Sequence, residues 1–382
     1  MTPIEYITGR IGFETPLNGV ISISDDEWEV IAVTAVALGL APLLHWHLSQ
    51  AEIVPPPMAM AKLAVTRKAH AKRNDKISEQ LAEILAACAV EKIEVLVIKG
   101  AFLAPTVYPE PALRPMNDID LLFRPEDLAR VGPLLESLGY KGKHKDPTQG
   151  PGIVKHLSTY RRAGNEGQTP NPYLSASGDR MVEPHDSLEE AWFGLKVDIT
   201  PGVWDRAAFI SLHNQSAYRL SIADILLHLA VHATFHVIMG ASVFLQLYDI
   251  GQVVQAWAHR IDWSHVQALT KKAQAEPFVY AGFYWTKMLY KTPLPDELLA
   301  QLAQACPPNL VAYIQAFDAV TLLERTQNPP LVTLRQRLWR GVLDRRETAR
   351  WADSLIDKWR IWQTGLAFYK TDTAALLREK LF

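Results

Sequence analysis

The run Asn117-Asp118-Ile119-Asp120-Leu121-Leu122-Phe123 constrains this chain more than any other stretch. Ile119, Leu121 and Phe123 alternate with the polar positions, the period of a strand with one face in a core. On such a strand Asp118 and Asp120 project from the same face, about 6–7 Å apart. Two carboxylates held this way repel each other unless a cation lies between or beside them. Hard oxygen ligands suit Mg²⁺, which commonly takes one or two carboxylates together with substrate phosphates. In a two-metal site one ion activates the attacking oxygen and the other neutralises the leaving phosphate. With 41 acidic residues in 382, chance alone supplies about four acidic-x-acidic triplets, so context must decide. Here the pair opens an apolar strand, a buried-looking strand ending in Lys99-Gly100 precedes it, and Asp198 stands between Val197 and Ile199 on a later strand. An isolated charge in such a position needs a reason to exist.

The surrounding chain reads as helix, then α/β, then helix. Ser24-Asp25-Asp26-Glu27 has the capping oxygens and acidic groups of a helix start, and that helix weakens near Gly39 and Pro42. Ile77, Leu81, Ile84, Leu85 and Cys88 share one buried stripe of a second long helix. Val95-Leu96-Val97-Ile98 is a short buried strand, and Pro125-Glu126-Asp127 opens a helix that Gly139 stops. Residues 141–190 are rich in Gly, Pro, Asn, Ser and Asp, with one strand-like island over 156–162. A long irregular segment within a domain is commonly functional. Strand alternation returns at Leu195-Lys196-Val197-Asp198-Ile199, and after Pro201-Gly202 the chain turns mostly helical. The expected fold class is α+β, with a small mixed β-sheet core between N-terminal and C-terminal helical regions. The expected divisions are a helical region over 1–92, the core over 93–205, a helical domain over 206–320 and a basic, Trp-rich segment over 321–382.

A net charge of −2 argues against a globally basic nucleic-acid-binding surface. Cys88 and Cys306 form no metal-type cluster or disulfide framework, and the N-terminus lacks the basic start and apolar block of a secretory signal, so a cytoplasmic location is expected. The uncharged run over 30–46 falls short of a comfortable membrane span.

The stretch IKGAFLAPTVYPEPALRPMNDIDLLFRPEDL resembles the signature of an uncharacterised bacterial nucleotidyltransferase family. That family lies within the DNA polymerase beta-like nucleotidyltransferase superfamily. The resemblance extends from the first helices to about Leu302 and includes the LLHLAVHATFH helix, Tyr248-Asp249-Ile250 and Ile261-Asp262-Trp263. It implies that Asp118 and Asp120 are the paired metal ligands, that Asp198 is the third carboxylate, and that Gly100 belongs to the phosphate-contacting turn. It also implies in-line attack on the α-phosphorus of a nucleoside triphosphate, with release of pyrophosphate. Better-known members carry Gly-Ser after the first strand, whereas this chain has Gly100-Ala101, and its gap from Gly100 to Asp118 is longer. Lys99 and Arg114 are the expected replacements for the missing hydroxyl as phosphate contacts.

The resulting expectation is a metal-dependent nucleotidyltransferase. It would use Mg²⁺ or Mn²⁺ and a nucleoside triphosphate, with ATP as the expected donor. The unknown acceptor is a small molecule, an RNA end or a protein. The alternative is a non-catalytic nucleotide- or protein-binding module, an antitoxin-like regulator or scaffold, that keeps the fold. His228, His232 and His236 fall on one helical face and suit core packing, a substrate contact at His232, or a transition-metal ladder. Asp249 interrupts an apolar helix, and either reaches the cleft or pairs with a histidine. His156, Arg161 and Arg162 are either nucleotide contacts or surface groups. Trp339, Trp351, Trp359 and Trp362 stand among many arginines, a pattern that fits packing on the body or contact with a protein partner or membrane surface.

Overall fold

The computed structural model describes residues 1–14, 23–51, 53–143, 159–162, 181–326, 334–352 and 354–363. His156 and most of the irregular 141–190 segment lie outside the described residues.

Four helices come first: α1 (Pro3–Arg10), α2 (Asp25–Ala37), α3 (Ala41–Gln50) and α4 (Pro57–Val90). Ser24 caps α2 reciprocally with Glu27: its hydroxyl accepts from the Glu27 N–H, and Glu27 Oε2 accepts from the Ser24 N–H at 2.8 Å. Gly39, at φ 71°, turns the chain between α2 and α3 where a side chain would be strained. The 34-residue α4 buries the predicted stripe of Ile77, Leu81, Ile84, Leu85 and Cys88.

The middle of the chain alternates short strands and helices. In order these are β1 (Val95–Val97), α5 (Lys99–Thr106), β2 (Asp118–Phe123), α6 (Leu128–Ser137), β3 (Tyr140–Lys143), β4 (Thr159–Arg162), β5 (Met181–His185), β6 (Glu189–Trp192), β7 (Leu195–Asp198), α7 (Val203–Arg206), β8 (Ala208–Leu212) and β9 (Gln215–Arg219). Seven strands form one mixed sheet in the order β3-β4-β5-β2-β1-β9-β8, while among the described residues β6 and β7 pair with each other. The α+β class stands. The sheet, however, runs past the expected boundary at 205, because β8 and β9 form a hairpin whose second strand lies parallel to β1 through Leu96 and Tyr218. Its turn is His213-Asn214, both at positive φ (51° and 61°), a left-handed pair that suits strand twist but lacks the usual glycine signal.

The remaining helices are α8 (Ile222–Met239), α9 (Phe244–Trp257), α10 (Trp263–Lys272), α11 (Glu276–Tyr290), α12 (Asp296–Gln304), α13 (Pro308–Gln315), α14 (Ala319–Thr326) and α15 (Leu334–Arg350). Ser221 caps α8, accepting from the Asp224 N–H at 3.1 Å. By length and composition α8 could cross a membrane, yet it packs against α9, α10 and α11 with most of its residues buried. It is apolar all round because neighbours surround it. In the C-terminal segment Trp351 is buried and stacks on Phe278 at 5.6 Å, whereas Trp339 and Trp359 are exposed. Ile361 is buried as well and Tyr313 Oη donates to Glu347 at 2.6 Å, so the segment is tied to the body while Trp339 and Trp359 face solvent.

Candidate active site

The central strand β2 fixes the geometry. It pairs antiparallel with β1 (Val97 opposite Leu121) and parallel with β5, placing Asp120 opposite Glu183 and Leu122 opposite His185. Side chains of one register position point the same way, so β5 adds its polar groups to the face that carries Asp118 and Asp120. Asp120 Oδ1 accepts from Lys99 Nζ at 2.7 Å and lies 2.8 Å from His185 Nε2, with Asp120 almost fully buried. One ligand atom from each of Asp120, Glu183 and His185 falls within 4.8 Å of the others. Lys99 reaches this point because it sits at φ 49°, where the chain leaves β1 and turns into α5.

Buried charges of both signs meet in this group. Burial, then the neighbouring Asp120 charge, pushes the Asp118 carboxyl up to about 6. Burial acts on Asp120 in the same direction, but the Lys99 charge and the His185 hydrogen bond outweigh it and hold Asp120 well below the carboxylate range. Burial would lower Lys99, yet Asp120 and Asp118 together raise it. Asp118, Asp120 and Glu183 offer hard oxygens, which fit Mg²⁺ or Mn²⁺, and a divalent ion there would offset the repulsion between Asp118 and Asp120.

Asp198, predicted as the third carboxylate, is not brought to this group. It ends β7, in the two-stranded sheet, where it is exposed and accepts from the Thr200 N–H at 2.9 Å. The β6–β7 hairpin turns at Phe193 and Gly194, both at positive φ, and among the described residues forms a sheet of its own. The third acid on this sheet face is Glu183, opposite Asp120. Its signal was the alternation Met181-Val182-Glu183-Pro184-His185, masked by a proline inside the strand.

A cleft of about 480 Å³ opens over these residues, walled by Lys99, Gly100 and Arg114 and by α8 and α9. Arg114 makes a fork on Asp249, with Nε to Oδ1 at 3.1 Å and Nη2 to Oδ2 at 2.8 Å, and Tyr108 Oη donates to the same Oδ1 at 2.6 Å. Asp249 thus interrupts α9 to hold an arginine, not a histidine. Arg114 also donates to the Pro115 carbonyl at 3.1 Å, which leaves one proton on each terminal nitrogen. Asn74 of α4 fixes the preceding turn by donating to the carbonyls of Pro111 and Arg114 at 2.6 and 2.9 Å. Gly100 is required by this packing: a Cβ there would fall 2.0 Å from Arg114 Nη1.

The histidines of α8 do not form a metal ladder. Burial pushes His228 down to about 3, and His232 Nδ1 lies 2.7 Å from Glu190 Oε1. His236 Nδ1 lies 3.1 Å from the Ser242 carbonyl. Arg161 and Arg162 sit on β4; Arg162 pairs with Glu83 at 2.8 Å, and neither lines the cleft.

Residues 24–291 match the profile of the uncharacterised nucleotidyltransferase family. The chain belongs to that family. As a member it is a nucleotidyltransferase, and the match spans every residue of the cleft described above. No curated protein matches the chain. Among solved structures, a crystal structure of ANT(2")-Ia in complex with adenylyl-2"-tobramycin is similar at 12% identity and TM-score 0.34, covering 52% of this chain and 97% of that one. A solution structure of the antibiotic-resistance factor ANT(2'')-Ia is similar at 11% identity and TM-score 0.34, covering 52% and 91%.

Proposed function

We propose that this nucleotidyltransferase moves a nucleoside monophosphate from a nucleoside triphosphate, with ATP as the first donor to test, to a hydroxyl or phosphate of an acceptor. The observation that carries the reading is the meeting of Asp118, Asp120 and Glu183 on one sheet face beside Lys99, Gly100 and Arg114. Asp118, Asp120 and Glu183 would hold Mg²⁺ or Mn²⁺, which supplies charge neutralisation at the triphosphate and a lower pKa for the attacking oxygen. Gly100 lets the chain approach closely at the start of α5, and the helix start favours a phosphate. Lys99 gives the triphosphate a buried positive charge, and Arg114 presents its two remaining protons. His185 holds Asp120 ionised and oriented through the 2.8 Å contact.

The test uses purified protein, Mg²⁺ or Mn²⁺ and each of four α-labelled nucleoside triphosphates. These are incubated with lysate fractionated into protein, RNA and small molecules. Wild type should move label into one fraction, and Asp118→Asn/Asp120→Asn should lose at least about 1,000-fold while staying folded. Absence of both label transfer and metal-dependent nucleotide binding in the wild type would sink the reading.

A further inference from the structure

We infer that the wall of the cleft formed by β6 and α8 is the acceptor side of the site, with His232 taking the proton from an acceptor hydroxyl and Glu190 positioning His232. This rests on the transferase reading above.

His232 lines the same cleft as Asp118, Asp120 and Lys99. Its side chain is 13% exposed and that of Glu190 is 7% exposed, so their 2.7 Å contact is largely shielded from water. A carboxylate can only accept, so the ring proton sits on Nδ1 and the neutral ring keeps its lone pair on Nε2. Nε2 has no hydrogen-bond partner among the described residues. Burial holds His232 well below the ordinary imidazole value despite the Glu190 charge, while His236 and Lys99 also disfavour the cation. The ring is therefore neutral at about pH 7 and able to accept a proton. Glu190 then stabilises the imidazolium as it forms, the role an acid beside a catalytic histidine performs.

The other acids of the cleft have different work. Asp118, Asp120 and Glu183 belong to the cation group, and Asp249 is held by Arg114 and Tyr108. His236 Nδ1 faces the Ser242 carbonyl. Glu190 and Trp192 alternate to the same face of β6, and Trp192 lines the cleft beside His232, giving the acceptor a flat apolar surface. An uncharged or weakly charged hydroxyl compound with an apolar face fits this wall.

The step balances as follows. His232 Nε2 takes the hydroxyl proton, the acceptor oxygen bonds to the α-phosphorus, and the bond from that phosphorus to the α,β-bridging oxygen breaks. Pyrophosphate leaves with that electron pair, and the imidazolium returns its proton to solvent.

The experiment follows loss of label from α-labelled ATP into any product, including AMP formed with water, in the presence of Mn²⁺ and whole lysate. His232→Asn should lose at least about 100-fold, yet keep the thermal shift produced by Mn²⁺ with a non-hydrolysable ATP analogue. Added imidazole should restore His232→Ala at least about tenfold. Glu190→Ala should fall as far as His232→Asn, and Glu190→Gln, which still accepts from Nδ1, should recover most of the rate. Turnover of His232→Asn within about threefold of wild type would overturn the inference. So would a wild type that binds nucleotide but moves no label even to water. A wild type that neither binds nor turns over nucleotide overturns the transferase reading itself, and this inference with it.

Discussion

Glu183 stands opposite Asp120 across the parallel pairing of β2 and β5, and the two carboxylates share a 4.8 Å neighbourhood with His185. Glu183 and Asp198 are therefore expected to separate in function. Glu183→Gln should reduce label transfer by at least about 100-fold and weaken Mn²⁺ binding, because it removes a hard oxygen charge from the cation group. Asp198→Asn, on an exposed hairpin, should stay within about twofold in rate and about 0.5 kcal/mol in stability. Equal losses from both substitutions would contradict the placement of the site. Titration with Mn²⁺ alongside the rate measurement settles it.

Gly100→Ala should uncouple the phosphate turn from its arginine. The new Cβ would lie 2.0 Å from Arg114 Nη1 and 3.1 Å from Met116 Cγ. The guanidinium is the movable partner, but moving it breaks the fork on Asp249. The expected cost is on the order of 2 kcal/mol, with loss of the thermal shift given by ATP and Mn²⁺. A variant with unchanged melting and unchanged nucleotide response would show that Arg114 yields freely.

The Arg114–Asp249 pair is a buried ion pair, with side chains 11% and 1% exposed. Asp249→Asn leaves a buried guanidinium without its countercharge, and should cost about 3 kcal/mol or more in urea unfolding. Arg114→Met/Asp249→Leu removes both charges, and should be less destabilised than Asp249→Asn alone. If the double variant is the weaker of the two, the charge argument fails.

Acid should destabilise the fold through buried neutral histidines. Burial, with a smaller contribution from Arg10, lowers His47 from 6.5 to about 4, and burial lowers His228 to about 3. Between those values and 6.5 the unfolded chain binds protons that the folded chain refuses. Stability is thus full above about pH 6.5 and falls as pH drops through that window. His47 alone should account for about 2 kcal/mol between about pH 7 and pH 5. His47→Gln, which retains a polar group near Tyr248 Oη, should show a correspondingly smaller drop in unfolding free energy. Parallel pH profiles for wild type and variant would count against this.

Local chemistry was legible without coordinates, because it depends on residues a few positions apart. Alternation around Asp118 and Asp120 fixed a strand with two acids on one face, and Ser24 marked the start of α2. The stripe from Ile77 to Cys88 required a helix with one buried side. What tertiary structure decided was which distant groups join that strand. His185 meets Asp120 across 65 positions, and Asp249 meets Arg114 across 135. Asp198 had the local pattern of a site residue, an acid between two apolar neighbours, and still ended on a separate hairpin. Glu183 had a proline beside it and ended in the site. Side-chain direction along a strand is set by its own two-residue period, whereas strand order and register are set by the whole core, and only the second brings the carboxylates together.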